Sequence, residues 1–262
     1  MKTLHYSTLV ILAGLGIVLS GCGGGATQAP TITVKPKASK STAVNIEKTG
    51  KKTGNNTTPG TGGVGDLVGV IKYNGAAPAV GKPKGFDPAD PKTDKYCVGV
   101  AGKITDETLL VDAASKGLAN VIIYLPKKPK GYAEAVPKAA VEFDQKNCQF
   151  VPHVLLVRTG KTVKLINSDM TTHNTHTYPG RNPGYSQALP FGKTDTIVYN
   201  AAEAIPVKVG CDIHGWMSAL HVPLDHHFVA VTDKQGKFSI KGIPTGTYRF
   251  QIWHEKSGYL DR

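Results

Sequence analysis

Short apolar runs, separated by Gly, Pro, Asn or Asp, follow one another along the chain from about residue 66. In the run 162–167, apolar and polar positions alternate imperfectly, which is typical of a strand with both faces partly covered. Ten such runs predict strands, at 67–73, 120–125, 141–144, 154–158, 162–167, 196–199, 206–209, 228–232, 237–240 and 248–253. Ten short strands joined by turns predict an all-β fold built as one β-sandwich or two. A weaker segment, 105–119, could hold a short helix.

The first 22 residues have a different pattern. An unbroken run of apolar residues and glycine at 9–19 follows a basic start. It is too short to cross about 30 Å of hydrocarbon, but it suits the apolar region of a signal peptide. The stretch Leu-Ser-Gly-Cys that ends at Cys22 resembles the lipobox of bacterial lipoproteins. This resemblance implies a signal peptide at 1–21 and lipidation of Cys22; the alternative is an ordinary signal peptide with an incidental cysteine.

Residues 22–65 are mostly Gly, Thr, Ser, Lys, Pro and Ala, and they carry too little apolar surface to offset the entropy of ordering. We therefore expect a disordered tether between a lipid anchor and the folded part. Gly23 follows the cysteine where some lipoproteins carry a retention aspartate, so the resemblance favours a periplasmic or cell-surface protein of the outer membrane.

The net charge of +12 invites a nucleic-acid interpretation, but its distribution argues against one. Residues 1–65 hold seven lysines and one glutamate, so half of the net charge lies in the leader and tether. No basic stripe with interleaved aromatic residues follows. We expect no nucleic-acid partner, and the basic tether suits an anionic membrane surface.

Composition also limits the fold and points to a metal. Glycine (30 residues) and proline (17) favour short elements joined by turns over long helices. Nine histidines are present, and all except His5 lie between His153 and His254. This crowding indicates that the C-terminal half uses imidazole groups.

The strongest chemical signal is the stretch Cys211-Asp-Ile-His214-Gly-Trp-Met217, with His173 upstream. A thiolate, two imidazoles and a thioether are the ligand set of a mononuclear type 1 copper site. Cys211 would end a strand, and a tight loop would return His214 and Met217 toward the same point. His173 would come from a distant loop and join two strands through the metal.

These residues resemble the cupredoxin family, and C-x₂-H-x₂-M matches the short ligand loop of its amicyanin-type members. The resemblance covers about residues 140–223 and implies an eight-stranded Greek-key β-sandwich with those four residues as copper ligands. Asn174 would then hold the metal-binding loops together, a role on which such sites depend. Thr172 stands where family members often have proline.

Other metals and ligands remain open at this point. Zinc also takes Cys and His but has little use for Met, and a binuclear copper centre needs a second cysteine near Cys211. His176 could replace His173 as a copper ligand. A second metal site could be built from the histidines left over, His153, His176, His221, His226, His227 and His254.

The four cysteines can each be given a role. With Cys22 lipidated and Cys211 on copper, Cys97 and Cys148 remain as a pair in an oxidising compartment. A bridge between them would stabilise the fold by about 4 kcal/mol in the chain-entropy model.

Two distant pieces, 67–75 with 121–125 and 228–248, resemble the opening strands and closing hairpin of the carboxypeptidase regulatory-like (transthyretin-like) sandwich. This resemblance implies a cupredoxin-like domain at 138–224, inserted into or packed on a small β-sandwich formed by 66–137 and 225–262.

Together these features predict an exported, monomeric, membrane-tethered copper protein that exchanges single electrons with a redox partner protein. Electrons would pass through an exposed edge of His214, and Trp216 would belong to the docking surface. A surface binding or adhesion module, and copper delivery or storage, are the alternatives. No hydrolase or nucleotide-binding signature is present, so we expect no catalysis by the chain alone.

Overall fold

The computed structural model describes residues 63–260, together with the backbone of two short strands before them, Val10–Ile11 (β1) and Thr31–Val34 (β2). The other residues of the predicted signal peptide and tether, including Cys22, lie outside the described residues. In the described part of the chain, no helix combines the length and apolar character needed to cross a membrane.

Strands are the main regular elements of the described residues, with little helix, so the fold class is all-β, as the sequence predicts. The helical elements are α1 (Lys95–Gly99) and a 3-10 helix (Ala101–Lys103). The strands after β2 are β3 (Val64–Val70), β4 (Ile122–Tyr124), β5 (Val141–Lys146), β6 (Gln149–Val151), β7 (Val154–Arg158), β8 (Thr162–Asn167), β9 (His173–Tyr178), β10 (Tyr185–Leu189), β11 (Thr194–Val198), β12 (Val207–Gly210), β13 (Ser218–Leu224), β14 (Val229–Val231), β15 (Lys237–Pro244), β16 (Gly246–Arg249), β17 (Gln251–His254) and β18 (Gly258–Tyr259).

Nine of these strands form a sandwich of two sheets. One sheet has the order β10-β9-β12-β13-β7, and the other has the order β11-β8-β5-β6. The pairs β7–β13 and β5–β8 are parallel, and the remaining pairs are antiparallel. The count is nine rather than the expected eight. The chain changes sheet between β6 and β7, where Pro152 lacks the N–H that a sheet ladder needs.

The core of this sandwich comes from the inward positions of both sheets. In β8, Val163, Leu165 and Asn167 are buried while the alternate positions are partly exposed, which is the pleated pattern of a strand. The stacked rings of Phe143 and Phe150, with centroids 5.0 Å apart, fill the centre.

A second set of sheets joins the two distant pieces of the chain. β3 pairs with β15, and β4 lies between β14 and β17. β1 pairs with β3, and β2 pairs with β16, so both extend this second set of sheets. Phe228, Phe250 and Ile240 are fully buried in its core. The likeness of these pieces to the regulatory-like family stays a prediction.

Strand β4 ties the two parts together because its alternate side chains face different cores. Ile123 belongs to the core of the second set of sheets. Ile122 and Tyr124 instead pack with Val154 and Leu220 of the larger sandwich. The two parts therefore share a dry interface.

The expectation of a short helix at 105–119 is wrong. The segment forms turns, because carboxylates accept hydrogen bonds from groups two and three residues ahead: Asp106 from the Thr108 N–H at 2.9 Å, and Asp112 from the Ser115 N–H at 2.7 Å. Such local bonds compete with helical ones. The described α-helix is α1, which begins after Asp94.

Seven strands are absent from the ten that the sequence predicts: the short β1, β2, β6 and β18, and the longer β9, β10 and β13. β9 reads His-Asn-Thr-His-Thr-Tyr, without an apolar residue before Tyr178, yet its first three residues are buried. Its inward side chains are polar and are satisfied by hydrogen bonds, as between the Gln145 Nε2 and Thr175 Oγ1 atoms at 3.0 Å. A pattern of apolar positions cannot detect such a strand.

Gly236 provides a test of the packing between the β14–β15 turn and β3. Its φ is +75°, and an added Cβ would lie 2.1 Å from the Ile71 carbonyl oxygen. We expect Gly236→Ala to lose about 1–2 kcal/mol from backbone strain and about 1–3 kcal/mol from the clash. Thermal unfolding, in which about 1 kcal/mol shifts the midpoint by roughly 2–4 °C, measures the loss.

Gly160 gives the matched control, because its φ is +76° and nothing lies within 4 Å of an added Cβ. Gly160→Ala should show the backbone cost alone. Equal melting shifts for the two variants would contradict the close packing at Gly236.

Candidate metal centre

The predicted ligands meet at one end of the larger sandwich. His173 is the first residue of β9, rather than part of a loop as expected, and Cys211 directly follows β12, which pairs with β9. The loop after Cys211 is closed by two backbone bonds, from the Met217 N–H to the His214 carbonyl at 2.8 Å and from the Cys211 N–H to the Met217 carbonyl at 3.3 Å. This tight turn brings His214 back toward Cys211.

Three donor atoms converge in this place. The Nδ1 atoms of His173 and His214 are 2.8 Å apart, and the His214 Nδ1 is 3.9 Å from the Cys211 Sγ. The three residues offer ligand atoms that all lie within 4.8 Å of one another. Their exposed fractions are 0% for His173, 3% for Cys211 and 4% for His214, so the cluster is closed to bulk water.

The Cys211 sulfur lies in an environment that favours the thiolate. The backbone N–H groups of Asn174 and His214 donate to it at 3.4 and 3.3 Å. Burial alone would raise the pKa of Cys211, but hydrogen bonds from the two histidines and from these N–H groups outweigh it and lower the pKa to about 6. A thiolate is the form of cysteine that binds metals.

The ring of His173 is held from its far side by Asp169. The Nε2 of His173 lies 2.9 Å from the Asp169 Oδ2, and both side chains are buried. Burial would lower the pKa of His173, but the bond to Asp169 and the neighbouring Cys211 raise it. Because the Nε2–H of His173 donates to Asp169, the Nδ1 atom is left to face the cluster.

Asn174 joins the two chain segments that carry the donors. Its Nδ2 donates to the Asp212 Oδ2 at 2.7 Å, and its Oδ1 accepts from the Asp212 N–H at 2.5 Å. Together with its own N–H on the Cys211 sulfur, Asn174 makes three bonds to the segment after β12. Asn174 therefore lies where the residue predicted to hold the metal-binding loops together should be.

Met217 and His176, the other ligand candidates, are placed differently. Met217 is buried in the same core cluster as Cys211. His176 is half-exposed on β9, with its Nδ1 3.0 Å from the Asp212 Oδ2, and it does not join the cluster of donors.

The remaining histidines do not assemble a second metal site in the described part of the chain. His153 contacts Glu255 at 2.7 Å, His221 contacts the Tyr199 hydroxyl at 2.8 Å, and His227 contacts Glu134 at 2.8 Å. Full burial lowers the pKa of His221 to about 3, so this ring stays neutral within the core. These contacts are structural.

The expectation that His214 presents an exposed edge is wrong, because residues 82–104 cover it. Within this covering segment, the Asp94 Oδ2 lies 3.9 Å from the His214 Nε2 and accepts a bond from the Thr171 hydroxyl at 3.0 Å. Phe86 packs edge-on against Trp216, with ring centroids 5.0 Å apart. Trp216 is therefore only partly exposed.

The covering segment is fastened to the sandwich at several points. Cys97 in α1 forms a disulfide with Cys148 in the β5–β6 turn, the pair that the cysteine count predicts. Cys97 lies beside His214 and Asp94, and Cys148 lies beside His173 and Asp169, with ligand atoms within 4.8 Å in each group. The position of the covering segment next to the donors could not be predicted from the sequence, because nothing between residues 82 and 104 carries a metal-binding pattern.

The donor set fits a copper ion. Two imidazole nitrogens and one thiolate, with a thioether nearby in the same core, are ligands that copper prefers, and Mg²⁺ or Ca²⁺ would need oxygen donors. The Nδ1 atoms face each other at 2.8 Å while the outer nitrogen of His173 is held elsewhere. The residues are therefore oriented toward a common point.

Comparison with known proteins gives likenesses among solved structures only. No family model matches the chain, and no curated protein matches it. A copper-containing nitrite reductase from Thermus scotoductus SA-01 is 19% identical, with a TM-score of 0.32 over 38% of this chain and 26% of that chain. This chain therefore spans about a quarter of the reductase.

Two smaller proteins are matched over nearly their whole length. A purple cupredoxin from Nitrosopumilus maritimus is 18% identical, with a TM-score of 0.28 over 32% of this chain and 99% of that one. A point mutant of amicyanin, in its reduced Cu(I) form, is 20% identical, with a TM-score of 0.30 over 39% of this chain and 98% of that one. The choice of candidate ligands in this chain rests on the geometry of its own site.

Replacing Asn174 tests how firmly the two donor segments are joined. Asn174→Ala removes both side-chain bonds to Asp212 and leaves the Asp212 N–H without its acceptor. We expect the metal-free protein to lose about 1–3 kcal/mol, as measured by urea unfolding. Asn200→Ala, at an exposed position, is the control and should stay within about 0.5 kcal/mol of the wild type. Equal stabilities of all three proteins would refute the joining role.

Proposed function

We propose that the protein is a type 1 copper protein that carries single electrons, with His173, Cys211, His214 and Met217 as its ligands. The observation that carries this proposal is the convergence of two imidazole Nδ1 atoms and a thiolate in a buried cluster at the end of a β-sandwich. When bound, copper would supply a one-electron couple between Cu(II) and Cu(I).

The protein's own contribution would be to keep the donors still. β9 and β12 are adjacent strands of one sheet, and Asn174 fastens their ends. Asp169 fixes the ring of His173, and the disulfide holds the covering segment over His214. A copper ion whose donors move little between its two oxidation states would exchange electrons with little reorganisation.

Burial of the donors favours electron transfer over the other roles considered. Copper delivery requires an acceptor to reach the ion, whereas His173, Cys211 and His214 are at most 4% exposed. An adhesion module would not need a thiolate cluster. We therefore place electron transfer first, with no catalysis by the chain alone.

A redox partner protein would dock at the end of the sandwich that carries the ligand loops. Met170, next to Asp169, and Ile213, next to His214, are 72% and 53% exposed. Exposed apolar side chains of this kind suit a transient interface. With His214 covered, the partner would contact the protein beside the covering segment rather than the imidazole edge itself. We expect the protein to be a monomer.

Copper loading tests the proposed function. Addition of Cu(II) to the metal-free protein should produce an intense visible absorption band, because a bound thiolate transfers charge to Cu(II), and one equivalent should be reduced reversibly. Cys211→Ser should abolish the band. His176→Ala should keep it, since His176 lies outside the cluster, and this variant is the control for loss of a histidine.

A different result would reject the proposal. A colourless protein that binds zinc alone would show that the donors serve another metal. Loss of the band in His176→Ala, together with its retention in a His173 variant, would show that His176 is the ligand and that the assignment to His173 is wrong.

We also propose that lipidation of Cys22 anchors the protein to a membrane, in the periplasm or at the cell surface. Expression of the full chain with a radiolabelled fatty acid should label the wild type and partition it with membranes. Cys22→Ser should remain unlabelled and leave the membrane fraction. Membrane association without label in the wild type would mean that another feature holds the protein.

A further inference from the structure

Asp169 is a buried carboxylate with an unusually complete set of donors. It is 1% exposed, and it accepts bonds from the Asn147 N–H at 2.6 Å, the Cys148 N–H at 2.7 Å and the Tyr96 hydroxyl at 3.0 Å. The fourth donor is the Nε2 of His173 at 2.9 Å. Three bonds therefore hold the carboxylate in place, and the fourth passes its influence to a proposed copper ligand.

The carboxylate remains charged in this position. Its two oxygens accept bonds from four donors within 3.0 Å, two of them backbone N–H groups, and such bonds favour the charged form of a carboxylate. A full negative charge thus lies directly behind the imidazole of His173, in an interior that screens charge weakly.

On the basis of the proposed function, we propose that Asp169 is a positioning residue that sets the reduction potential of the copper through His173. The bond from Nε2 fixes the ring so that Nδ1 faces the metal, and it makes that nitrogen a stronger donor. A stronger donor and a nearby negative charge both stabilise Cu(II) more than Cu(I). Asp169 therefore lowers the potential.

Tyr96 gives the same carboxylate a connection to the surface. Its ring belongs to α1 in the covering segment and is partly exposed, while its hydroxyl donates to the Asp169 Oδ1. This bond withdraws some of the negative charge that His173 would otherwise feel. Removal of the hydroxyl should therefore act in the opposite direction to removal of the carboxylate charge.

The test uses two substitutions that change charge and leave shape nearly intact. We expect Asp169→Asn to weaken binding of Cu(II) relative to Cu(I) about tenfold, which raises the potential by about 59 mV for a one-electron couple. Tyr96→Phe should lower the potential by a smaller amount, and the double variant should show little of the Tyr96→Phe effect. Potentials are measured by redox titration of the copper-loaded full chain, and Cu(I) and Cu(II) affinities by competition with chelators.

Glu142→Gln is the matched control, since Glu142 is an exposed carboxylate paired with Lys164 at 3.3 Å. It removes the same charge from the chain and should leave the potential unchanged. A second readout does not depend on copper: in the metal-free protein, the Nε2–H of His173 should exchange slowly with solvent in the wild type and faster in an Asp169→Ala variant.

The outcomes separate the two proposals. A wild type that binds no copper rejects the proposed function and this inference with it. A copper-loaded wild type whose potential does not respond to Asp169→Asn rejects this inference alone. If Asp169→Asn does not fold, Tyr96→Phe decides, and a potential that is unchanged or raised in that variant overturns the role of Asp169.

Discussion

Burial of a polar cluster is costly unless its atoms find hydrogen-bond partners, and this constraint governs the end of the sandwich where the candidate ligands lie. A thiol, two imidazoles and a carboxylate there are at most 4% exposed. Unpaired, such groups would cost several kcal/mol each. The backbone N–H groups on the Cys211 sulfur, and the four donors on Asp169, supply the partners, so strands β9 and β12 and the turn after β5 must meet in one arrangement.

The candidate ligands could be picked out from the sequence because their signal is local. Cys211, His214 and Met217 occupy one turn, and the residue types themselves indicate the chemistry. The candidate roles of His173 and Asn174 could be predicted through the family resemblance. Strand β9, which carries both, was missed because its buried positions are polar, so the same residues that reveal the site conceal the strand.

The cover over the site could not be predicted, since it depends on contacts between residues far apart in sequence. Asp94 caps α1 through bonds to the Tyr96 and Cys97 N–H groups, and Phe86 rests on Trp216. Neither residue forms part of a metal-binding pattern. The pairing of Cys97 with Cys148 was predictable by counting, but its place beside both histidines follows only from the fold. The contact of Asp169 with His173 likewise could not be predicted, because Asp169 lies in a short polar stretch without a pattern that indicates the contact.

The bridge from Cys97 to Cys148 joins residues 51 positions apart and also closes the cover over the donors. Such bonds form in oxidising compartments. Before the bond exists, the described part of the chain holds three free thiols, those of Cys97, Cys148 and Cys211. Maturation therefore has a preferred order: the correct pair of cysteines must be oxidised while Cys211 is spared. If the chain binds a metal as proposed, a metal that occupied Cys211 early would protect it from mispairing and would link metal loading to oxidative folding.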